Sequence, residues 1–257
     1  MISFPDVTPG ESLSVSATLY TTYLKCPEQA LGRLRGEYSA ESRASFRGGL
    51  AHRVFARHLS EGAITEDRME QVCREEIGKS MNPKIAALGL KPSELSGVIR
   101  EVGELYNRFK RLSVDGFQAA EVFLEVNPVE GVRLIGSIDA VFDDPEAGTR
   151  LIDWKTGSVV GAEDQLAFYA LLWAMEHDEL PGALEAVSVA TGERFAAEPT
   201  RSEAEATVRR VAELISALRV AFAAGNDLER RGGAWCRYCP LLEECDEGAA
   251  AVAVFSA

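Results

Sequence analysis

No stretch of this 257-residue sequence holds the ~18 uninterrupted apolar residues that a membrane-spanning helix requires, so no bilayer segment is expected. The opening MISFPDVTPGESLSV lacks both the basic n-region and the apolar h-region of a secretory signal, and the expectation is a cytoplasmic protein without a membrane partner. Also missing is a G-x-x-x-x-G-K-[ST] phosphate loop, which excludes a built-in helicase motor and leaves any unwinding to a partner. There is no internal repeat and no low-complexity linker. Basic residues are in deficit, with 27 Lys and Arg against 40 Asp and Glu, for a formal charge of -13. That balance excludes a surface coated in positive charge for nucleic acid, although a local basic stripe is compatible with it.

What is present is an ordinary globular composition, 46% hydrophobic and 26% charged, enough for one sizeable core. The chain reads as a single domain, 1–257, made of a helical N-terminal part (12–115), a central sheet (116–200) and a C-terminal helix with a cysteine cluster (201–257). ATLYTTYLKCPEQALGRLRG predicts a helix broken at Cys26-Pro27, and FRGGLAHRVFARHLSEG carries apolar residues at helical spacing up to a glycine stop. Further helix is expected around Asp67–Lys79 and Ser93–Leu112. The period then changes: AAEVFLEV, VRLIGSIDAVFDD and TRLIDWK are alternating or β-branched runs separated by turn residues, as three successive strands would be. A helix from about Glu163 to His177, a strand at LEAVSVAT, and a long helix with a capping box at Ser202-x-x-Glu205 and a stop at Gly225 complete an α/β pattern. Between Tyr20 and Leu59 seven basic residues face three acids, 7 − 3 = +4, and smaller basic groups lie at Arg108, Lys110 and Arg111 and at Arg230, Arg231 and Arg237. Each reads equally well as a solvated helix face or as part of a nucleic-acid surface.

The chemistry concentrates in TRLIDWKTG. On a strand, residues i and i+2 share a face, so Asp153 and Lys155 aim at one point while Trp154 points away. The preceding strand, LIGSIDAVF, sets Asp139 among apolar neighbours, a costly place for a carboxylate that binds nothing. Joined by the short DDPEAGT turn, Asp139 and Asp153 can converge as hard oxygen ligands for a divalent ion. Lys155 then stands where it can orient or help deprotonate a water. Glu121 in AAEVF is either an additional acid or an exposed strand-edge charge.

Gly136-x-x-Asp139 followed by Asp153-x-Lys155 resembles the active-site core of RecB-type PD-(D/E)XK nucleases. Gly48-x-x-x-His52 resembles the N-terminal histidine motif of that family, and Gln165-x-x-x-Tyr169 its helical Gln/Tyr motif, so the resemblance spans roughly Gly48 to Tyr169. It implies a restriction-endonuclease-like core, a mixed sheet flanked by helices, using Mg²⁺ or Mn²⁺. It implies metal ligation by His52, Asp139 and Asp153, with Lys155, Gln165 and Tyr169 in the catalytic set, to which Glu121 is added as the candidate further acid on its strand position alone.

The cysteines form a second line. WCRYCPLLEEC spaces Cys236, Cys239 and Cys245 as C-x2-C-x5-C, Cys26 stands near the other end, and Cys73 reads as a small buried residue. Such clustering in a cytoplasmic chain favours metal over disulfide, and four thiolates suit zinc or an iron–sulfur cluster equally on chemistry alone. The set is similar to the four-cysteine staple of AddB-type nucleases and CRISPR-associated RecB-like exonucleases, which implies a [4Fe–4S] cluster on Cys26, Cys236, Cys239 and Cys245. The expected function is metal-dependent DNA cleavage by an exonuclease favouring single strands or ends, in repair or recombination with a helicase or recombination partner. A CRISPR-associated or phage accessory nuclease and a non-catalytic DNA-binding iron–sulfur scaffold are the alternatives.

Overall fold

The computed structural model describes residues 2–255. A short strand, β1 (Leu13–Ser16), runs directly into α1 (Ala17–Lys25), with the Ser16 side chain accepting from the Leu19 N–H as N-cap. Cys26 is extended (φ -155°) and Pro27 opens α2 (Pro27–Leu34), because the residue before proline is steered out of helix while proline suits a first turn. Four helices follow: α3 (Arg43–Glu61), α4 (Met69–Ser80), α5 (Asn82–Leu88) and α6 (Pro92–Phe109). Then come β2 (Phe117–Val126), β3 (Val132–Asp144), β4 (Gly148–Lys155), α7 (Glu163–His177), β5 (Ala183–Ser188), β6 (Arg194–Ala197), α8 (Arg201–Ala224) and α9 (Asp246–Phe255).

The expected mixed sheet flanked by helices is what forms. Its order is β1-β3-β4-β5-β6, with β2 paired to β3; β1 runs parallel to β3 and β4 parallel to β5, while the remaining pairs are antiparallel. One apolar cluster packs α1, α2, α7 and α8 against one face of the sheet, through residues such as Leu134, Leu151, Phe168 and Leu214. A second packs α3, α4 and α6 against the other, through Phe55, Phe109, Phe142 and Trp154.

The register of β3 positions the site. Leu134 pairs with both Val126 of β2 and Val15 of β1, and Ala140 pairs with both Ala120 of β2 and Ile152 of β4. Strands β1 and β4 therefore share one edge of β3. They leave residues 136–139 between them without a ladder partner on that side.

Two expectations need correction. The N-terminal part is not wholly helical, since β1 belongs to the central sheet; α5 and β6, too short for their periods to stand out, were not foreseen. The capping box of the long helix lies two residues earlier than Ser202-x-x-Glu205. The Thr200 side chain accepts from Glu203 N–H (3.2 Å), and Thr200 N–H donates to the Glu203 carboxylate (2.8 Å). The chain leaves Pro199 extended at Thr200 and coils at once, so Glu205 falls one turn inside and pairs with Arg201 instead. The basic excess of residues 20–59 is largely spent on ion pairs: Arg35 with Glu28, Arg43 and Arg47 with Glu101, and Arg57 with Glu61 and Glu75.

Candidate active site

At the fork where β1 and β4 part, Asp139 uses its side chain in place of the missing ladder partner. Its Oδ2 accepts from Trp154 N–H at 2.6 Å, and its Oδ1 lies 3.1 Å from His52 Nδ1. The histidine comes from α3, whose close approach depends on Gly48: a Cβ there would sit 3.2 Å from Thr156 Oγ1, just past the end of β4. On the opposite edge of β3, Glu121 falls between the ladder pairs Ala120–Ala140 and Val122–Ile138, facing Asp139. Its backbone is left-handed (φ 51°), a conformation that costs a side-chain-bearing residue about 1–2 kcal/mol. Such strain persists only where the surroundings impose it, and it marks functional sites.

His52, Glu121 and Asp139 each offer a ligand atom, all within 4.8 Å of one another. Donors bound to one ion at about 2.1 Å in octahedral geometry stand roughly 3.0–4.2 Å apart, so a modest contraction of this trio would embrace a divalent cation. Glu121 thus stands within this compact trio, and Asp153 lies outside it.

Asp153 is held one step away. Lys155 Nζ lies 2.7 Å from its Oδ2, as the shared strand face dictates, and Gln165 Nε2 donates to its Oδ1 at 2.9 Å. Oδ2 is buried, and the Lys155 ammonium is its partner. Gln165 is the brace: its Oε1 accepts from Lys155 Nζ (2.6 Å), and its Nε2 also donates to Tyr169 Oη (2.9 Å), one helical turn on. Trp154 points to the other face and packs edge-on against Phe109, ring centroids 5.1 Å apart. The expected convergence of Asp139, Asp153, Lys155, His52, Gln165 and Tyr169 on one neighbourhood is what the structure has.

The electrostatics follow from crowding acids in a buried corner. Burial, then the nearby Asp139, pushes Asp153 up to about 6 against the pull of Lys155. Burial opposes charge on His52, but Asp139, assisted by Asp153 and Glu121, overrides it and raises the imidazole to about 9. Glu121 is accessible at the rim, yet its dense surroundings, with Asp139, push its carboxyl up. Burial, reinforced by Asp153, also raises Tyr169, which stays a neutral donor and acceptor.

Gly136 completes the geometry. A Cβ there would come within 2.7 Å of Leu172 Cδ1 and 3.1 Å of Tyr169 Cε1, so only glycine lets α7 lie close enough for Gln165 to reach Asp153 and Lys155. Gly136→Ala should cost roughly 1–3 kcal/mol through overpacking and lower activity by shifting the Gln165 brace. A thermal melt and a cleavage assay check this; a variant equal to the parent in both would show that α7 yields without consequence.

The site opens into a cavity of about 1070 Å³ walled by α3 on one side and by α4 and α5 on the other. Sequence reasoning missed Arg53, Lys79 and Lys84 on its walls, because nothing in their local pattern announces that two helices will bring them to the same cleft.

Of the five cysteines, Cys73 is buried in the second core, while Cys26, Cys236, Cys239 and Cys245 line one cavity of about 20 Å³. They are not drawn into a close ligand set: among the described residues no three thiol sulfurs lie within 4.8 Å of one another. The expectation of an assembled four-cysteine centre is corrected to that extent.

Acids, a lysine and a histidine around an open cleft at a forked, mixed sheet are the makings of a hydrolytic centre that works with a divalent cation. The chain belongs to the PD-(D/E)XK nuclease superfamily, whose sequence profile it matches over residues 14–246. A candidate exonuclease from Eubacterium rectale, known from its crystal structure, is similar in fold, with a TM-score of 0.54 at 14% identity over 89% of this chain and 86% of that one. The structure named SSO0001 is 18% identical over 93% of this chain and 88% of its own, at a TM-score of 0.40. No curated protein matches the sequence.

Proposed function

We propose that the protein is a metal-dependent deoxyribonuclease that hydrolyses phosphodiester bonds, acting as an exonuclease on single-stranded DNA or DNA ends in repair or recombination. The observation that carries this is the meeting, at the mouth of one large cleft, of a cation-ready trio (His52, Glu121, Asp139) with the braced Asp153–Lys155 pair. His52, Glu121 and Asp139 would hold Mg²⁺ or Mn²⁺, with the neighbouring Asp153 carboxylate as a further ligand; an imidazole in the set favours Mn²⁺. Bound there, the ion would polarise the phosphate and acidify a water. Lys155, fixed by Gln165, would orient that water and the phosphate it attacks, while Tyr169 keeps Gln165 turned toward both partners. The cleft is open rather than a closed pocket, which suits a polymer strand. End-labelled single- and double-stranded DNA, incubated with Mn²⁺, with Mg²⁺ and with chelator, tests the reading: metal-dependent shortening from an end supports it, and no cleavage of either DNA with either ion overturns it.

The RecB-type and AddB-like affiliation, and with it a [4Fe–4S] staple, is the finer part of the proposal. Four thiolates suit either tetrahedral zinc or a cluster on chemistry alone, and the resemblance to four-cysteine nucleases is what favours the cluster. Gly233 N–H donates to Cys236 Sγ and Gly248 N–H to Cys245 Sγ, each at 3.3 Å, contacts that favour thiolate sulfur. Arg230 and Arg231 line the same cavity, and the buried Trp235 Nε1 there has no hydrogen-bond partner. The cavity is smaller than a cluster, so loading requires its walls to move apart. Protein purified without oxygen should be brown, and Cys26→Ser, Cys236→Ser, Cys239→Ser and Cys245→Ser should each lose colour while Cys73→Ser keeps it. A colourless parent overturns the cluster, and one equivalent of zinc in its place would restore the alternative.

A further inference from the structure

Besides His52, the cleft is lined by five lysines and arginines, and four of them already have anionic partners. Arg57 is tied to Glu61 (2.9 Å) and Glu75 (2.5 Å), Lys79 to Glu76 (2.6 Å), Lys84 to Glu41 (3.1 Å) and Lys155 to Asp153 (2.7 Å). Arg53 makes no hydrogen bond or ion pair among the described residues. It follows His52 directly on α3, on the wall that carries the histidine to the trio, and its charge is felt at the Glu121 carboxylate. A half-buried guanidinium left unpaired in a chain with 40 acidic residues is a group kept for something that arrives.

Charge counting says what arrives. Glu121, Asp139 and Asp153 contribute −3, Lys155 +1 and a divalent cation +2, so the loaded centre sums to −3 + 1 + 2 = 0. A phosphodiester adds one negative charge, and the pentacovalent transition state of its hydrolysis adds a second. With the centre itself neutral, nothing in the acid, lysine and histidine set balances either charge, and the deficit is largest in the transition state. The planar fork of an arginine suits two phosphate oxygens, and a donor aimed where charge develops accelerates the step rather than merely tightening binding.

We propose, resting on the nuclease assignment above, that Arg53 is a catalytic residue whose guanidinium binds the non-bridging oxygens of the scissile phosphodiester. Lys79 and Lys84, further along the cleft, exchange their acid partners for neighbouring phosphates of the same strand.

The test compares parent, Arg53→Ala and Arg53→Lys on an end-labelled single-stranded oligonucleotide with Mn²⁺. Arg53→Ala should lower kcat by about 10²-fold with KM changed only a few-fold, in line with removal of one transition-state donor. Millimolar guanidinium should restore part of the rate, and Arg53→Lys should lie between. Mn²⁺ affinity should match the parent, which a collapsed site would not allow. An unchanged kcat, or a rise in KM alone, overturns the assignment. If the parent cleaves no nucleic acid with any metal, the nuclease reading fails separately, and oligonucleotide binding in Ca²⁺ decides for Arg53. Loss of about one unit from the salt slope in Arg53→Ala supports a phosphate contact, and an unchanged slope overturns it.

Discussion

Asp153→Asn and Lys155→Ala should each leave the protein folded and able to bind DNA, and each should reduce cleavage by roughly 10²–10³-fold or more, the range for losing a charged group fixed at the reacting centre. The structure separates this from a stability effect. Asp153 is buried, and its carboxyl is raised from the usual carboxylate range to about 6 by that burial and by Asp139. For an acid with a raised folded value, the penalty is absent below the unfolded value, grows as pH rises toward the folded one and is then constant. At neutral pH the ionised side chain therefore costs the fold on the order of 3 kcal/mol, a cost accepted where function requires it. Asparagine removes the charge, keeps the shape and can still meet Gln165, so the metal-free variant should melt no lower than the parent at pH 7. Cleavage assays beside thermal melts check both halves. Turnover near that of the parent in Asp153→Asn would sink the active-site assignment, and a large fall in Tm would reassign any lost activity to unfolding.

Much of this site could be read in the sequence because strand periodicity is local. The i, i+2 spacing of Asp153 and Lys155 puts them on one face in any strand, and Gln165 and Tyr169 stand one turn apart on any helix. The placement of Glu121 beside Asp139 was not legible. Its place depends on a left-handed residue in β2 and on the register against β3, and neither is written in AAEVF. Nor could spacing show that β1 and β4 share an edge of β3 and leave Asp139 at the fork, because a four-residue strand far away in the chain creates that gap. The cysteine pattern was visible in the sequence, but pattern fixes neither sulfur separation nor cavity size. Arg53 was counted only as one charge in a basic stretch, and its distinction, that its neighbours are neutralised by acids 18 to 58 positions away while it is not, belongs to tertiary structure alone.

Metal binding should strengthen by on the order of 10²-fold between pH 6.5 and 8.5 and should release close to one proton per ion at the lower pH. The argument runs through His52. In the metal-free protein burial disfavours its charge, but Asp139 at 3.1 Å, with Asp153 and Glu121 behind it, more than compensates and raises the ring to about 9. An imidazolium has no lone pair for a cation, so an incoming ion must displace that proton, and each unit of pH below about 9 weakens apparent affinity tenfold. The sign for stability is opposite. A raised histidine stabilises the metal-free fold fully below its unfolded value of 6.5, and that contribution disappears as pH rises through about 9. The same residue therefore makes the metal-free protein less stable at high pH and its metal uptake easier there. Mn²⁺ titration calorimetry at the two pH values, each in two buffers of different ionisation enthalpy, gives both the affinity ratio and the proton count. In His52→Gln the pH step and the released proton should both disappear, and any preference for Mn²⁺ over Mg²⁺ should shrink, because the remaining ligands are oxygens. A flat affinity with no proton released by the parent would mean that His52 is neutral before the ion arrives, and the charged pair with Asp139 would have to be abandoned.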